Sequence, residues 1–315
     1  MTDSLLRRTR PKAALAPLQR SEIEEARALC ARNPVAYIMP AMHLDHAAST
    51  GRLLAGQLWV VREGVGGRLR GRSAAIAGVI WTGANLVPAL PEATPEFIAE
   101  VAAAAGARLA RPSALVGDAE VVLGLWSFLS ARWGPAREIR PEQWLMRLDG
   151  QARYPAPPRP GDPLLESLRL EAVRTATLAD FEDLLPAAVH MFVGEVGYDP
   201  LEHGRTAYED RLRRLIRLGR SFVQFGVVEG RRQVVFKAEA GVVGGGVAEL
   251  QGVWVHPLLR GRGFGRAGVA AVVERSRATL APVTSLYVND FNARAITAYE
   301  AVGFTRVGTF ATVML

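Results

Sequence analysis

Residues 255–268 read VHPLLRGRGFGRAG and follow the apolar, strand-like run LQGVWV. Four glycines (Gly261, Gly263, Gly265 and Gly268) and three arginines (Arg260, Arg262 and Arg266) share this short segment. No other stretch constrains the fold as tightly, because it demands a strand, a tight loop and a helix in immediate succession. Small residues let backbone N–H groups approach an anion, and the following helix N-terminus adds a favourable dipole. Guanidinium groups suit phosphate oxygens, so the composition points to a negatively charged ligand. The spacing fits two patterns. Gly263, Gly265 and Gly268 make G-x-G-x-x-G, a dinucleotide fingerprint, whereas Arg260, Gly263 and Gly265 make R-x-x-G-x-G.

Position in the chain separates the two. A dinucleotide-binding sheet needs its fingerprint early, with several strand–helix units behind it. Only 47 residues follow Gly268, room for two strands and one helix. Asp290 stands where a ribose-binding acid would, but the sheet around it would be too small. The dinucleotide reading is therefore disfavoured.

A seam divides the 315 residues into two domain-sized parts. QARYPAPPRPGDP (151–163) holds five prolines and reads as a stiff connector. The expected division is an N-terminal domain at 1–150, a linker at 151–166 and a C-terminal domain at 167–315. Beyond the seam, periodicity and glycine punctuation predict the order β-α-α-β-β-β-α-β-α-β, a mixed sheet with helices on its faces. The first helix is entered at Thr177 or Asp180, the second is closed by Gly219, and the last runs from Asn292 to about Val302.

Composition narrows the function classes. The formal charge is +7, but it is spread evenly: 18 Lys and Arg against 14 Asp and Glu in residues 1–150, and 20 against 17 in the remainder. No basic footprint for a nucleic acid emerges. The densest basic run, Arg211 to Arg220, alternates with leucine and reads as a solvated helix face. No apolar run reaches the length of a membrane span, and the basic N-terminus lacks a signal-peptide core, so a cytoplasmic location is expected. One cysteine, Cys30, can make neither an internal disulfide nor a cysteine metal site; no metal is expected.

Two motifs in order carry a family resemblance over about residues 168–315. VWVHPLLRGRGFG and the later SLYVNDFNARAITAYEAVGF together resemble the GNAT superfamily of acyl-CoA-dependent N-acyltransferases. The resemblance implies acetyl-CoA as cofactor. It assigns the pyrophosphate grip to Arg260, Gly261, Arg262, Gly263, Phe264 and Gly265, with Arg266 adding charge. Asn292, also a natural N-cap, would meet the pantetheine arm. Tyr299, two helical turns on, would be the general acid, since a phenol can protonate a departing thiolate. Backbone N–H groups around Val253, Trp254 and Val255 would stabilise the oxyanion. Glu249 is the candidate general base; strand alternation places it on one face with Gln251, Val253 and Val255. The family builds its acceptor pocket around the first helices, here His190, Met191, Phe192, Tyr198, Asp199 and His203.

Residues 114–148 can be laid over the C-terminal motif, with Leu115–Asp118 on Tyr287–Asp290 and Gly134 on Gly303. AAIAGVIWTG reads as a strand and PEFIAEVAAAAGA as a helix, but the loop between them has no arginine–glycine grip, and Ser127 stands in place of Tyr299. The expected fold class is therefore α/β (α+β), tandem GNAT-like mixed β-sheet domains with flanking helices, the first a degenerate copy. Only 11 residues follow Phe304, so the last strand is expected to pair with the N-terminal half. The layout resembles bacterial acetyltransferases without an assigned substrate. The expected activity is acetyl transfer to a primary amine of a small molecule or protein, with no nucleic-acid or membrane partner. A non-catalytic acyl-CoA-binding module and a nucleic-acid-associated factor are the other readings. Oligomeric state is left open.

Overall fold

The computed structural model describes residues 12–53, 56–64, 75–154 and 168–315. Residues 155–167, most of the proline-rich connector, lie outside the described residues. The chain divides into two compact units, Met1–Leu145 with Gly308–Leu315, and Met146–Val307.

Unit 1 contains β1 (Lys12–Pro17), α1 (Ile23–Cys30), α2 (Ile38–Thr50), β2 (Leu58–Gly64), β3 (Ile76–Thr82), β4 (Asn85–Ala89), α3 (Pro95–Arg108), β5 (Ala114–Asp118), α4 (Ala119–Trp133) and β6 (Glu138–Leu148), whose last residues pass into the other unit. Strands β1 to β4 pair antiparallel in sequence order, and β4 pairs parallel to β5. Helix α3 starts where Thr94 accepts a hydrogen bond from the Phe97 N–H, with Pro95 in the first turn. Asp118 caps α4 in the same way. Their apolar faces close on the sheet through Ile98, Val101, Leu125 and Leu129, against Val61, Ile80 and Leu115.

Unit 2 contains β7 (Arg174–Thr175), a 3-10 turn (Leu178–Asp180), α5 (Phe181–Val196), α6 (Pro200–Arg217), β8 (Ser221–Val228), β9 (Arg231–Gly244), β10 (Val247–Val255), α7 (Phe264–Thr279), β11 (Val283–Asn289) and α8 (Ala293–Val302). With β12 (Thr305–Met314) this is the expected element order. The same order runs from β1 to β6, so both parts of the chain are mixed-sheet units of GNAT-like plan. β7, β8, β9 and β10 pair antiparallel, and β10 pairs parallel to β11. Leu184, Ala188, Leu212 and Ile216 of α5 and α6 pack on Val223, Phe225, Val234 and Trp254. Helix α7 packs its Gly268 against the ring of Phe236.

The last strand leaves the unit that precedes it. Phe310–Met314 pair antiparallel with Asp118–Ala114 of β5, and Ala311 and Val313 are buried in the unit 1 core. This is the pairing expected from the short tail.

Candidate active site

Strand β10 is irregular where chemistry is expected. Its register with β9 slips between Glu249 and Leu250, and again between Gln251 and Trp254. Gly252, at φ +56°, sits in the second bulge, a left-handed conformation that favours glycine. The bulge corrects one expectation. Glu249 and Gln251 share a face, but strict alternation does not continue to Val255. Trp254 joins the core under α5 and α6, whereas Val255 packs with Leu259 and Phe264. The glycine inside an otherwise regular strand was the signal for this break.

The parallel register of β10 with β11 is short: Val247, Ala248 and Glu249 face Val283, Thr284 and Ser285. Beyond Glu249, β10 continues to Val255 while pairing only with β9. The register between the two strands thus ends at Glu249, short of Val253, Trp254 and Val255.

Strand β10 ends at Val255, directly ahead of the glycine–arginine loop. After a 3-10 turn at Pro257–Leu259, Gly261 and Gly263 take left-handed φ values of +79° and +90°. Gly263 is the N-cap of α7, and no side chain caps that helix. Helices α1, α2 and α5 likewise have no side-chain cap, whereas α3, α4, α6 and α8 are capped by Thr94, Asp118, Asp199 and Asn292. The first-turn N–H groups of α7, around Phe264, Gly265 and Arg266, therefore have no side-chain acceptor and suit an anion. Arg260 donates its Nε–H to the Val255 carbonyl at 3.0 Å, which leaves its terminal amino groups as donors. Arg266 folds back near Gly263. All three arginines are exposed, while Leu259 and Phe264 anchor the loop in the core. The donor set fits a diphosphate such as that of coenzyme A.

Glu249 is buried, 3 % exposed, and accepts a hydrogen bond from Gln251 Nε2 at 2.8 Å. Burial pushes its carboxyl up to about 7, against the opposing pull of the Gln251 amide. Tyr299 on α8 is half-buried and meets the Phe304 ring edge-on at 5.9 Å. Burial first, and then the charge of Glu195, hold its phenol above the ordinary tyrosine value. Asn292 accepts from the Ala295 N–H at 3.2 Å, the N-cap role expected of it.

A charged cluster beside Glu249 escaped the sequence reading. Lys237, wholly buried, donates to Glu239 at 2.7 Å, and Arg211 donates to the other Glu239 oxygen at 3.1 Å. Burial alone would raise the Glu239 carboxyl, but the two cations outweigh it and hold it below its usual range. The only signal was a lysine and a glutamate two apart inside the apolar strand VVFKAEAGVV. The basic run forms the solvated helix face expected of it, with Arg211, Arg214 and Arg217 exposed and Leu212, Leu215 and Ile216 buried, and Arg211 in addition reaches Glu239.

Of the expected acceptor residues, Phe192 meets Tyr198 and Tyr208 edge-on at 5.3 and 5.4 Å. Met191 reaches toward Gly252, and His190 Nδ1 accepts from Trp254 Nε1 at 3.0 Å. Asp199 caps α6, and the side chain of His203 lies outside the described residues. In unit 1, Cys30 is buried and its thiol is pushed up to about 12, by burial and then by Asp45. Among the described residues, no group of three or more His, Cys, Asp or Glu could hold a metal ion.

The corresponding place in unit 1 has opposite chemistry. Between β4 and α3 a cavity of about 500 Å³ is lined by Glu63, Glu92, Glu96 and Glu100, with Arg32. Ser127, opposite Tyr299 in the repeat, donates to the Gly124 carbonyl within its own helix.

Comparison with known proteins agrees with this geometry. Residues 187–304 match the profile of the acetyltransferase (GNAT) family, and residues 67–171 match a domain of unknown function, DUF4081. No curated protein matches the chain significantly. Among solved structures, a Drosophila protein is similar at a TM-score of 0.58 and 12 % identity, covering 96 % of this chain and 98 % of that one. A GCN5-related N-acetyltransferase from Sphaerobacter thermophilus is similar at 0.53 and 12 %, covering 96 % and 95 %. An acetyltransferase of the GNAT family from Colwellia psychrerythraea is similar at 0.50 and 10 %, covering 96 % and 99 %. At these identities the likeness is one of fold, and it extends over nearly the whole chain. The match to the acetyltransferase (GNAT) family thus lies in the C-terminal part of the chain, behind the match to a domain of unknown function.

Proposed function

We propose that the protein transfers an acetyl group from acetyl-CoA to a primary amine, on a small molecule or a protein, by direct attack. One observation carries the reading: the register of β10 with β11 ends at Glu249, and β10 runs on into a glycine–arginine loop whose helix N-cap, Gly263, has no side chain to cap it. Acetyl-CoA would supply an activated thioester there. The loop from Arg260 to Gly265, with Arg266, would hold its diphosphate through backbone N–H groups and guanidinium forks. Asn292 would stand beside the pantetheine arm.

The remaining chemistry belongs to two side chains and a backbone. An ammonium must lose a proton before it can attack, and a carboxyl near 7 is matched to that task at neutral pH. Glu249 takes that proton, directly or through water. Backbone N–H groups of Val253 to Val255 donate to the acyl oxygen. Tyr299, protonated throughout the neutral range, gives its proton to the leaving sulfur.

Calorimetry and kinetics test this together. Arg260→Ala combined with Gly263→Asp removes charge and blocks backbone approach, so acetyl-CoA affinity should fall; unchanged affinity would sink the loop assignment. On an amine panel, Tyr299→Phe should lower turnover about 10²-fold with acetyl-CoA affinity kept, the low end of general-acid effects. Full activity in that variant would remove the acid from the scheme. Failure of the wild-type chain to release thiol with any amine would favour a non-catalytic acyl-CoA-binding module.

A further inference from the structure

Gln251 joins two groups that have no direct bond to each other. Its Nε2 donates to Glu249 Oε1 at 2.8 Å, and its Oε1 accepts from Arg211 Nη2 at 3.4 Å. A guanidinium can only donate, so it must face the amide oxygen, and the amide nitrogen is then turned toward Glu249. Arg211 is itself held through its Nη1 contact with Glu239, whose other oxygen is taken by Lys237. The orientation of the Gln251 amide is thus set by a chain of contacts reaching α6.

Strand β9 makes room for the same amide. A Cβ on Gly241 would lie 2.2 Å from Gln251 Oε1 and 2.5 Å from its Cδ. Gly241 does not have a positive φ, so its backbone would accept any residue, and the glycine is required by space alone. A glutamine exposed on a strand would need neither this bare backbone nor a steering arginine. Two independent features, one on β9 and one on α6, therefore serve one side-chain conformation.

We propose that Gln251, laid across Gly241 and steered by Arg211, is a positioning residue that orients the Glu249 carboxyl and leaves Oε2 as its basic oxygen. The proposal rests on the assignment of Glu249 as general base. Around Gly252, next to Gln251, lie Lys237 and Glu239 from β9 and Met191 from α5, with Arg211 of α6 held on Glu239, and Ser285 on β11 is the register partner of Glu249. The charged three are engaged with one another, and the Gln251 amide donates to Glu249.

The test reads the carboxyl itself. In the full chain labelled with ¹³C at the glutamate carboxyls, the signal lost in Glu249→Gln assigns Glu249, and its midpoint in wild type should lie at about 7. Removing the amide donor in Gln251→Met should move that midpoint to higher pH. Gly241→Ala, which crowds the amide, and Arg211→Met, which removes its steering donor together with one partner of Glu239, should move it the same way. The acid limb of the acetyl-transfer rate should shift with it, while acetyl-CoA affinity stays unchanged. A midpoint unmoved in folded Gln251→Met would overturn the proposal. If that variant does not fold, Arg211→Met, altered at a half-exposed side chain, decides the matter by the same measurement. Wild-type turnover in Glu249→Gln would instead overturn the base assignment, and with it any catalytic meaning of a midpoint that still responds to Gln251.

Discussion

In its proposed role Glu249 would serve chemistry at the expense of stability. Its carboxyl lies at about 7 in the folded chain, against 4.5 ordinarily, so the native state holds this proton more tightly than the unfolded state. The associated stability is fully present below the ordinary value and is lost as pH rises through 7. Above that, burying the carboxylate costs up to about 3 kcal/mol at 1.36 kcal/mol per pH unit. Glu249→Gln removes this penalty while keeping the shape. Its urea-unfolding stability should therefore gain on wild type between pH 5 and pH 8, and a constant difference across that range would contradict the buried titration. Residues of this kind were partly legible in the sequence. Glu249, Tyr299 and the arginines stand in quotable motifs, and their neighbours can be named from strand and helix spacing. Lys237 and Glu239 were not, and Gln251 was legible only as a neighbour on the same face, because their roles depend on which strand lies opposite and on a bulge that shifts the faces.

At the scale of elements, local signals carried most of the reading. Hydrophobic periodicity, the proline seam and glycine-marked turns were enough to place every strand and helix of the C-terminal part in order. What they could not give is register, since two slips in β9–β10 pairing decide which side chains meet Glu249. Packing between elements was equally hidden. Gly268 reads as part of a glycine fingerprint, yet an added Cβ would lie 2.5 Å from the Phe236 ring, so its visible duty is to let α7 approach the sheet. Alanine in an exposed helix would stabilise by about 1 kcal/mol. Here the steric term should win, and Gly268→Ala should destabilise by about 1–3 kcal/mol, as overpacked cores do. A rise in unfolding temperature would show that the ring yields freely.

For the whole molecule, repetition of one plan has not preserved one chemistry. The place in unit 1 that corresponds to the proposed phosphate loop is lined by four glutamates, which oppose a diphosphate, and the sequence overlay sets Ser127 against Tyr299. Titration calorimetry with acetyl-CoA should saturate at one per chain, and two would show that unit 1 has kept a site. The tandem plan was visible in the sequence through the shared Leu115–Asp118 and Tyr287–Asp290 pattern, but α1 and α2 were not, because their segment carries no motif. The path of β12 has a further consequence during synthesis. Unit 1 emerges from the ribosome first, yet the β5 edge must wait for Phe310–Met314, which are made after all of unit 2. Until then that edge offers unpaired backbone groups to any passing strand, the condition in which chains associate wrongly. A growing chain of this protein thus cannot finish its first unit until all of its second has been made, so a prematurely terminated product would be recognisable by its open sheet.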